Sequence, residues 1–362
     1  MLSKFKLVVT SLINGKMKQI AGDNSHQIQA QTVNIGMSYT EVKDLCQDLI
    51  QSELATYKQD AFVEAEKRFN KISDRLLERL SQLEDSTRQR FQEPSIQFAV
   101  NETMKEYIRS GKEELGDDLI DLMIERLKVE EHTTKQSLID EARQILPKLS
   151  NSAVAVLAML TFVKLIFFRE RTEFVRILEK LTSLAGELGT PQSLDIAYLE
   201  QARCGQSLSF VTSNKNFVEE MKNTYDVLFS HPVSLEEFNQ FMREYGINQE
   251  EKTPILLAIS SFFDTKAQSM TYKYSTFPGS GIKDEIKKYM NLLKDRLSLY
   301  SEEEVRAYFL GISPMWQNVI NLFEREDIKS FMLSPVGMYI GTRKLSRVLG
   351  EEVSIDIFYK NN

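Results

Sequence analysis

Side chains that could act as metal ligands or nucleophiles are few and widely spaced in this sequence. It contains three histidines, His26, His132 and His231, and two cysteines, Cys46 and Cys204. A metal site needs several such ligands that converge, usually at short recurring spacings, and none of these spacings occurs here. We therefore predict no metal ligand, no cofactor and no catalytic residue. A dyad of Cys46 with a distant histidine stays open, because such partners need not be neighbours in sequence.

One glycine-rich loop and two acidic groups could contact phosphate or a divalent cation. In the loop, residues 278–283, an isoleucine separates the last glycine from Lys283, whereas a phosphate-binding Walker loop ends in Gly-Lys-Ser/Thr and follows a strand. The acidic residues at 113–121 and 302–304 lie where helices are expected to begin, and carboxylates there complement the helix dipole. We interpret the glycine-rich loop as a surface loop and the acidic groups as solvated helix caps.

The composition is that of a soluble and mainly helical protein. The chain has 362 residues, of which 42% are hydrophobic and 27% charged, with only 15 glycines and 8 prolines. This length leaves room for two or three structural units. The net charge of −7 argues against nucleic acid as a partner, because binding phosphates along a backbone requires clustered Lys and Arg. Two cysteines without a disulfide or metal spacing favour the reducing cytoplasm.

Apolar periodicity and helix-capping signals predict a mainly α fold. Capping-box spacing at Ser234/Glu237 and at Ser301/Glu304 predicts helices that begin there. The predicted class is a multi-helix body with a long N-terminal coiled-coil-like segment, a short N-terminal β strip and a C-terminal strand. Its predicted parts are a basic amphipathic lead (1–21), the β strip (22–37), a long heptad-patterned helix (38–93), a helical bundle (94–189) that contains an apolar helix (152–168), and a mainly helical C-terminal domain (190–362).

The long predicted helix carries an apolar seam that must pack on another helix. Its apolar residues recur at alternating steps of three and four, the spacing of a coiled coil or of an antiparallel helix pair. A helix with such a stripe is stabilised by packing rather than by propensity alone. The seam residues that we predict to join copies of the chain are Phe62, Phe69, Ile72 and Leu76.

A Gln- and Asn-rich strip before this helix is the second element predicted to join copies. Residues 26–35 alternate apolar and polar side chains as a strand does, and an isolated strand of this length is marginal in water. Amide side chains form ladders when identical strands stack in register. Pairing with residues 5–13 or 353–359 of the same chain is the alternative. The strip residues assigned to oligomerisation are Gln27, Ile28, Gln29, Gln31, Val33, Asn34 and Ile35.

The segment 152–168 is the most apolar in the chain and allows two interpretations. It is shorter than the roughly 20 residues of a spanning helix and contains Lys164, which favours a buried core helix. The alternative is a membrane-active effector that engages a bilayer through residues 1–14, residues 152–168 or both. The side chains assigned to that contact are Phe5, Val8, Val9, Leu12, Leu157, Phe162 and Phe167.

Both ends of the chain carry motifs that resemble one group of proteins. The pattern GDNS-x-Q-I-Q-A-x-x-V-N-I-G, residues 22–36, precedes a Ser/Thr-capped charged helix, and residues 333–341, LSPVGMYIG, precede the strand at 353–359. These features resemble the two ends of a group of poorly characterised bacterial proteins, some of which are suspected to act in phage defence or in conflict between bacteria. The resemblance implies a biological context and no catalytic motif.

The sequence therefore favours a self-assembling, non-enzymatic interaction or sensor protein, placed by the resemblance in bacterial antiviral defence. Its expected partners are further copies of itself and a protein of unknown identity, with no nucleic acid. The expected location is the cytoplasm. If the chain is a membrane-active effector, it would also associate with a membrane on activation. An enzyme whose site is assembled from distant residues is the remaining alternative.

Overall fold

A computed structural model of the chain describes residue 44 and the ranges 59–130, 133–189, 196–208, 215–247, 249–267, 269–274 and 284–353. Helices dominate these ranges, which confirms the predicted mainly α class. The basic lead, the β strip, the glycine-rich loop at 278–283 and all but the first residue of the strand expected at 353–359 lie outside the described residues.

The described α-helices are numbered here in chain order. They are α1 (Gln59–Ser81), α2 (Asp85–Gln89), α3 (Pro94–Ser110), α4 (Glu113–Lys128), α5 (Thr134–Ile145), α6 (Asn151–Leu165), α7 (Arg171–Glu187), α8 (Ile196–Gln201), α9 (Phe217–Thr224), α10 (Leu235–Glu244), α11 (Gln249–Ser260), α12 (Asp284–Lys294), α13 (Glu302–Ile312), α14 (Trp316–Glu324), α15 (Glu326–Lys329) and α16 (Pro335–Leu349).

Five short strands form two small antiparallel sheets within the described ranges. The strands are β1 (Gly205–Ser207), β2 (Val233–Ser234), β3 (Phe263–Ala267), β4 (Ser269–Tyr272) and β5 (Phe331–Leu333). β1 pairs with β5, and β4 lies between β2 and β3. The first sheet fixes the chain immediately before α16, and the second packs with α10, α11 and α12 around a core of its own.

The N-terminal described helices form a three-helix bundle of α1, α3 and α4, called here the N-terminal bundle. The helix predicted to run to residue 93 ends at Ser81 instead, because the chain must reverse for α3 to pack antiparallel on α1. The break covers residues 82–84, and the chain resumes at once in the short helix α2. The seam of α1 is buried inside this bundle, so the antiparallel pair is the packing that the described seam adopts.

The main core is built around α6, which is buried on nearly every side. Leu157 and Phe162 are almost fully inaccessible to solvent, as the interpretation of this segment as a core helix predicts. Lys164 lies at the end of the helix, where its Nζ donates to the carbonyl oxygen of Phe331 at 2.7 Å. Among the described residues, no helix combines the length and apolar character needed to cross a membrane.

Helix α16 packs on α6 with almost no space between the two backbones. The contact is possible because position 341 is a glycine: a Cβ atom there would lie 2.5 Å from the carbonyl oxygen of Leu157. Gly337 is held equally close to the backbone of Cys204. The helix begins at Ser334, whose Oγ accepts a hydrogen bond from the Gly337 amide at 3.1 Å. These contacts account structurally for much of the LSPVGMYIG motif, and they set the position of every side chain further along α16.

Candidate functional site

Helix α4 presents two acidic faces, and the first of them meets α1. Lys71 and Arg75 both pair with Glu113 near the start of α4, with Lys71 Nζ 2.7 Å from Glu113 Oε1. One turn further, Arg75 Nη1 lies 3.1 Å from Asp117 Oδ1. Because these pairs advance in the same direction along both helices, α1 and α4 run parallel. The pairs are partly exposed, so they fix the alignment of the helices and contribute little stability individually.

The second acidic face of α4 meets α16. Arg347 Nη2 lies 2.7 Å from Asp118 Oδ1, and one turn earlier on α16 Arg343 pairs with Glu125. The hydroxyl of Tyr339 donates to Glu125 Oε2 at 2.8 Å. As α16 advances from Arg343 to Arg347, the partners on α4 recede from Glu125 to Asp118, so these two helices run antiparallel.

Asp121 joins the two faces because it lies between the basic residues of both neighbouring helices. Its carboxylate oxygens are 3.4 Å from Arg347 Nη2, 3.7 Å from Arg79 Nη2 and 3.9 Å from Arg343 Nη2. The acidic residues at 113–121 were expected to be solvated helix caps. Glu113 and Glu114 do lie exposed in the first turn of α4. Most of the group also pair with Arg and Lys side chains of α1 and α16, because the tertiary fold places basic faces on both sides of α4.

A cleft of about 490 Å³ opens where α4, α16, the end of α1 and the start of α5 meet. Lys135 reaches it from α5, with its Nζ 3.5 Å from Glu125 Oε1. Thr342 also lines the cleft although its side chain is only 1% exposed. Its Oγ1 is buried and has no hydrogen-bond partner among the described residues. The charged residues that line the cleft are Arg79, Asp118, Asp121, Glu125, Lys135, Arg343, Arg347, Glu351 and Glu352.

Burial changes the acid–base properties of two groups in the cleft. Desolvation raises the pKa of Asp118 from its ordinary 3.8 to about 6, although Arg347, Arg343 and Lys344 all act in the opposite direction. Burial also raises the pKa of Tyr339, whose hydroxyl donates to Glu125. The cleft therefore offers guanidinium groups, a carboxyl group that takes up a proton near neutral pH, and a hydroxyl that lacks a partner. This set suits the binding of an anion.

The histidines and cysteines that lie in the described ranges do not converge on a site. Cys204 is buried, and desolvation raises the pKa of its thiol to about 12, which keeps it in the unreactive thiol form. His231 Nε2 lies 3.4 Å from Glu304 Oε1 at the surface. Within the part of the chain that the structure describes, no three His, Cys, Asp or Glu side chains could together hold a metal ion. His26, His132 and Cys46 lie outside the described residues.

The residues predicted to join copies of the chain fall into two sets. Phe69, Ile72 and Leu76 are buried in the core of the N-terminal bundle of their own chain, and Phe62 is partly buried at its edge. These side chains therefore hold α1 on α3 and α4. The strip residues assigned to the same role lie outside the described residues, and their assembly role stays a prediction: Gln27, Ile28, Gln29, Gln31, Val33, Asn34 and Ile35.

The residues proposed to contact a membrane are also divided. Leu157 and Phe162 are in the main core, where Phe162 packs among aromatic rings, including Trp316 at a centroid distance of 6.4 Å. Phe167 is 45% exposed and stacks on Tyr225 with ring centroids 5.4 Å apart. In this fold the buried side chains of the apolar segment pack against other parts of the same chain. The N-terminal members of the set lie outside the described residues: Phe5, Val8, Val9 and Leu12.

Sequence reasoning did not find the cleft between α4 and α16. A signal for it exists in the spacing of Tyr339, Arg343 and Arg347, which places three polar side chains on one face of the last helix. The acidic residues Asp118 and Glu125 show a matching period on α4. Each pattern alone is typical of a helix face that is exposed to solvent. Only the contact between the two faces in the fold shows that they line a cleft.

The fold and the cleft define a class: a mainly helical protein in which an N-terminal bundle meets a helical body across a charged cleft. A protein-family model described as ":-like" matches residues 36–359, and the chain belongs to that family. The description states no activity, substrate or partner. The matched range begins at Gly36, and so it leaves out nearly all of the strip at 22–36. No curated protein and no solved structure matches the chain significantly.

Proposed function

We propose that the chain is a non-enzymatic interaction protein whose copies assemble through the N-terminal part of α1 and the strip that precedes it. The observation that carries this proposal is that, among the residues that the structure describes, α1 extends beyond the helices that cover its apolar seam. Arg68 Nη1 donates to the carbonyl oxygen of Ile108 at 2.9 Å, which marks the level at which α3 ends beside α1. The end of α3 is closed by Gly111 in a left-handed conformation.

The burial of the seam decreases toward the N-terminus from this level. Phe69 and Ala65 are buried, whereas Phe62 is only partly buried. Val63, which lies beside the seam in the same turn, is 60% exposed. The sequence further upstream carries a looser apolar stripe that ends at Leu54. An apolar stripe without a partner helix is unfavourable in water and is relieved by packing on another helix. This supports an external partner for the first turns of α1.

A second copy of the chain is the partner that we propose. A heptad-type seam is complementary to an identical seam, since the same side chains form knobs on one helix and holes on the other. The predicted strip at 22–37 precedes this helix in the same chain, and stacking identical strands would satisfy its amide side chains. The seam and the strip can both be satisfied by a second copy of the chain, so the proposal needs only one kind of partner.

Light scattering on the full chain tests the proposal through a matched pair of substitutions. Val63→Glu places a charge on the uncovered part of α1 and should lower the molar mass toward that of one chain. Phe98→Glu is the control, because Phe98 is equally exposed, at 61%, but lies on α3 away from the uncovered segment. A wild-type chain that is monomeric at all accessible concentrations contradicts the proposal. The proposal is also contradicted if both variants have the same molar mass as the wild type.

The biological setting that we propose is bacterial antiviral defence, with the helical body acting on a further protein. Its support is the resemblance of the two chain ends to a group that includes suspected defence proteins. Phage plaque counts on bacteria that express the full chain with its genomic neighbours test this setting. Protection that is present with Phe98→Glu and lost with Val63→Glu would connect defence to assembly. An unchanged plaque count with the wild-type chain, across a broad phage panel, counts against it.

A further inference from the structure

We infer that the cleft between α4 and α16 is a binding site for a small phosphate-bearing molecule. This inference concerns a single chain and does not depend on the proposed assembly. Three observations carry it: basic side chains at the rim that are only loosely held, a buried hydroxyl in the lining that lacks a partner among the described residues, and carboxylates of which all but Glu352 are already paired with guanidinium groups. The volume of about 490 Å³ is within the usual range of small-molecule sites.

The loosely held basic side chains are Arg79 and Lys135. Their nearest carboxylate oxygens, on Asp121 and Glu125, are 3.7 Å and 3.5 Å away, whereas charge-assisted hydrogen bonds are about 2.7–2.9 Å long. Both side chains are substantially exposed and can therefore turn toward a ligand without breaking a short hydrogen bond. They enter from opposite sides, Arg79 from α1 and Lys135 from α5.

The buried hydroxyl is that of Thr342 on α16. Its side chain is almost fully buried, it lines the cleft, and its Oγ1 has no hydrogen-bond partner among the described residues. Most buried polar groups in proteins are hydrogen-bonded, so a buried hydroxyl without a partner requires an explanation. A phosphoryl oxygen bound in the cleft would accept its hydrogen bond and supply that reason.

The charges favour an anion over a cation. Of the five carboxylates that line the cleft, Asp118, Asp121 and Glu125 lie near its own arginines and Glu351 pairs with Arg176. A cation at any of these four would have to displace an arginine, and Glu352 is the exception. A guanidinium has five N–H donors in a planar fork, and a carboxylate fills only some of them. The fork matches the oxygens of a phosphate. A bound phosphate can therefore join these arginines without removing them from α4.

Such a ligand would contact the N-terminal bundle and the body at once. Arg79 and Asp121 belong to the bundle, whereas Lys135 on α5 and Thr342 on α16 belong to the body. A molecule that binds both units stabilises the arrangement in which they are docked, because it binds the folded state and not the separated one. Binding should therefore be visible as a rise in the unfolding temperature as well as directly.

Isothermal titration of the full chain with pyrophosphate, in a buffer without divalent cations, tests the inference. We expect saturable binding with one site per chain. Lys135→Gln should weaken it by about tenfold, since it removes one charge-assisted contact. Thr342→Val should weaken it by a smaller factor while leaving the shape of the side chain unchanged. The control is Lys287→Gln, because Lys287 is an exposed lysine on α12, remote from the cleft.

Asp118→Asn supplies a variant with the opposite expected effect. It removes a negative charge from the cleft and releases Arg347 Nη2 from its contact at 2.7 Å, so pyrophosphate should bind more tightly. A gain in affinity cannot result from misfolding. Weaker binding by this variant, or affinities of Lys135→Gln and Thr342→Val that equal that of the control, would overturn the inference. Absence of binding above that of matched sodium chloride would overturn it as well.

A parallel titration with ATP distinguishes the source of the phosphate. Tighter binding of ATP than of pyrophosphate would assign the site to a nucleoside phosphate, because the base and ribose then add contacts. Tighter binding of pyrophosphate would assign it to a simple phosphate or phosphate ester. Either order supports a phosphate site, provided that Lys135→Gln weakens both ligands. Equal affinity for sulfate and for both phosphates would show that the cleft binds anions without selectivity and would contradict the inference.

Discussion

Gly341 of α16 lies directly on the backbone of α6 at Leu157. A Cβ atom at position 341 would be 2.5 Å from the carbonyl oxygen of Leu157, a distance that real side chains do not adopt. The contact fixes the depth at which α16 lies against the core. Because Arg343 and Arg347 follow on the same helix, it also fixes how far their guanidinium groups reach toward α4.

Gly341→Ala should therefore destabilise the protein. The added methyl group meets both Thr161 Oγ1 and the backbone of Leu157 on α6. A rotation of Thr161 cannot relieve the backbone contact, so one of the two helices must shift. Overpacking of this kind typically costs about 1–3 kcal/mol. Urea denaturation followed by circular dichroism gives the free energy of unfolding for the comparison.

The same substitution at Gly311 is the matched control. Gly311 lies in α13, and no atom within 4 Å would meet a Cβ there. Replacing this glycine should raise the free energy of unfolding by about 0.5 kcal/mol, since alanine has less backbone freedom to lose on folding. Equal effects of the two substitutions would show that α16 does not pack on α6 as closely as described.

Leu157→Ala should cost about 2–5 kcal/mol of folding free energy, because it leaves a cavity in the main core. Leu157 is 0% exposed, whereas Leu257 on α11 is 67% exposed and provides the control. Leu257→Ala should change the stability by less than about 0.5 kcal/mol. The two leucines also bear on the membrane-active alternative, which requires Leu157 to leave the core. A neutral Leu157→Ala would favour that alternative over a core helix.

The stability of the protein should respond to pH through Asp118. Burial raises the pKa of this carboxyl to about 6, so the folded protein binds the proton more tightly than the unfolded chain. The contribution of Asp118 to stability therefore increases as the pH falls from above 6 toward 4. Between about pH 7.5 and about pH 5 the increase should be about 1 kcal/mol.

Asp118→Asn isolates this contribution from those of other titrating groups. The variant has no proton to gain at position 118, so its stability should rise less than that of the wild type on acidification. The measured quantity is the difference in free energy of unfolding between the two proteins at each pH. If this difference stays constant between about pH 7.5 and about pH 5, the pKa of Asp118 is not raised by its surroundings.

Several features of the fold could be predicted from local sequence alone. The capping boxes expected at Ser234/Glu237 and Ser301/Glu304 are both present and open α10 and α13. The apolar segment that contains Leu157 is a buried core helix. These predictions depend on contacts between residues three or four apart, or on the amount of apolar surface in one segment. Both kinds of information lie within a short stretch of chain.

The break after Ser81 was not predicted, because no glycine or proline marks it and the seam pattern continues past it. The helix ends there because α3 must turn back to cover the seam. The interpretation of the acidic residues at 113–121 as solvated caps shows the same limit. Their positions at the start of a helix are local information, but their partners on α1 and α16 are not.

The sequence by itself determined the helical class and the starts of the capped helices, and it favoured burial of the most apolar segment, because each follows from local spacing and apolar content. Only the tertiary structure decided that Arg343 faces Glu125, which is 218 residues away in the chain. An arginine on a helix face pairs as readily with water as with any acidic residue. Its partner is selected by the depth at which α16 packs, and that depth is set by Gly341 against Leu157.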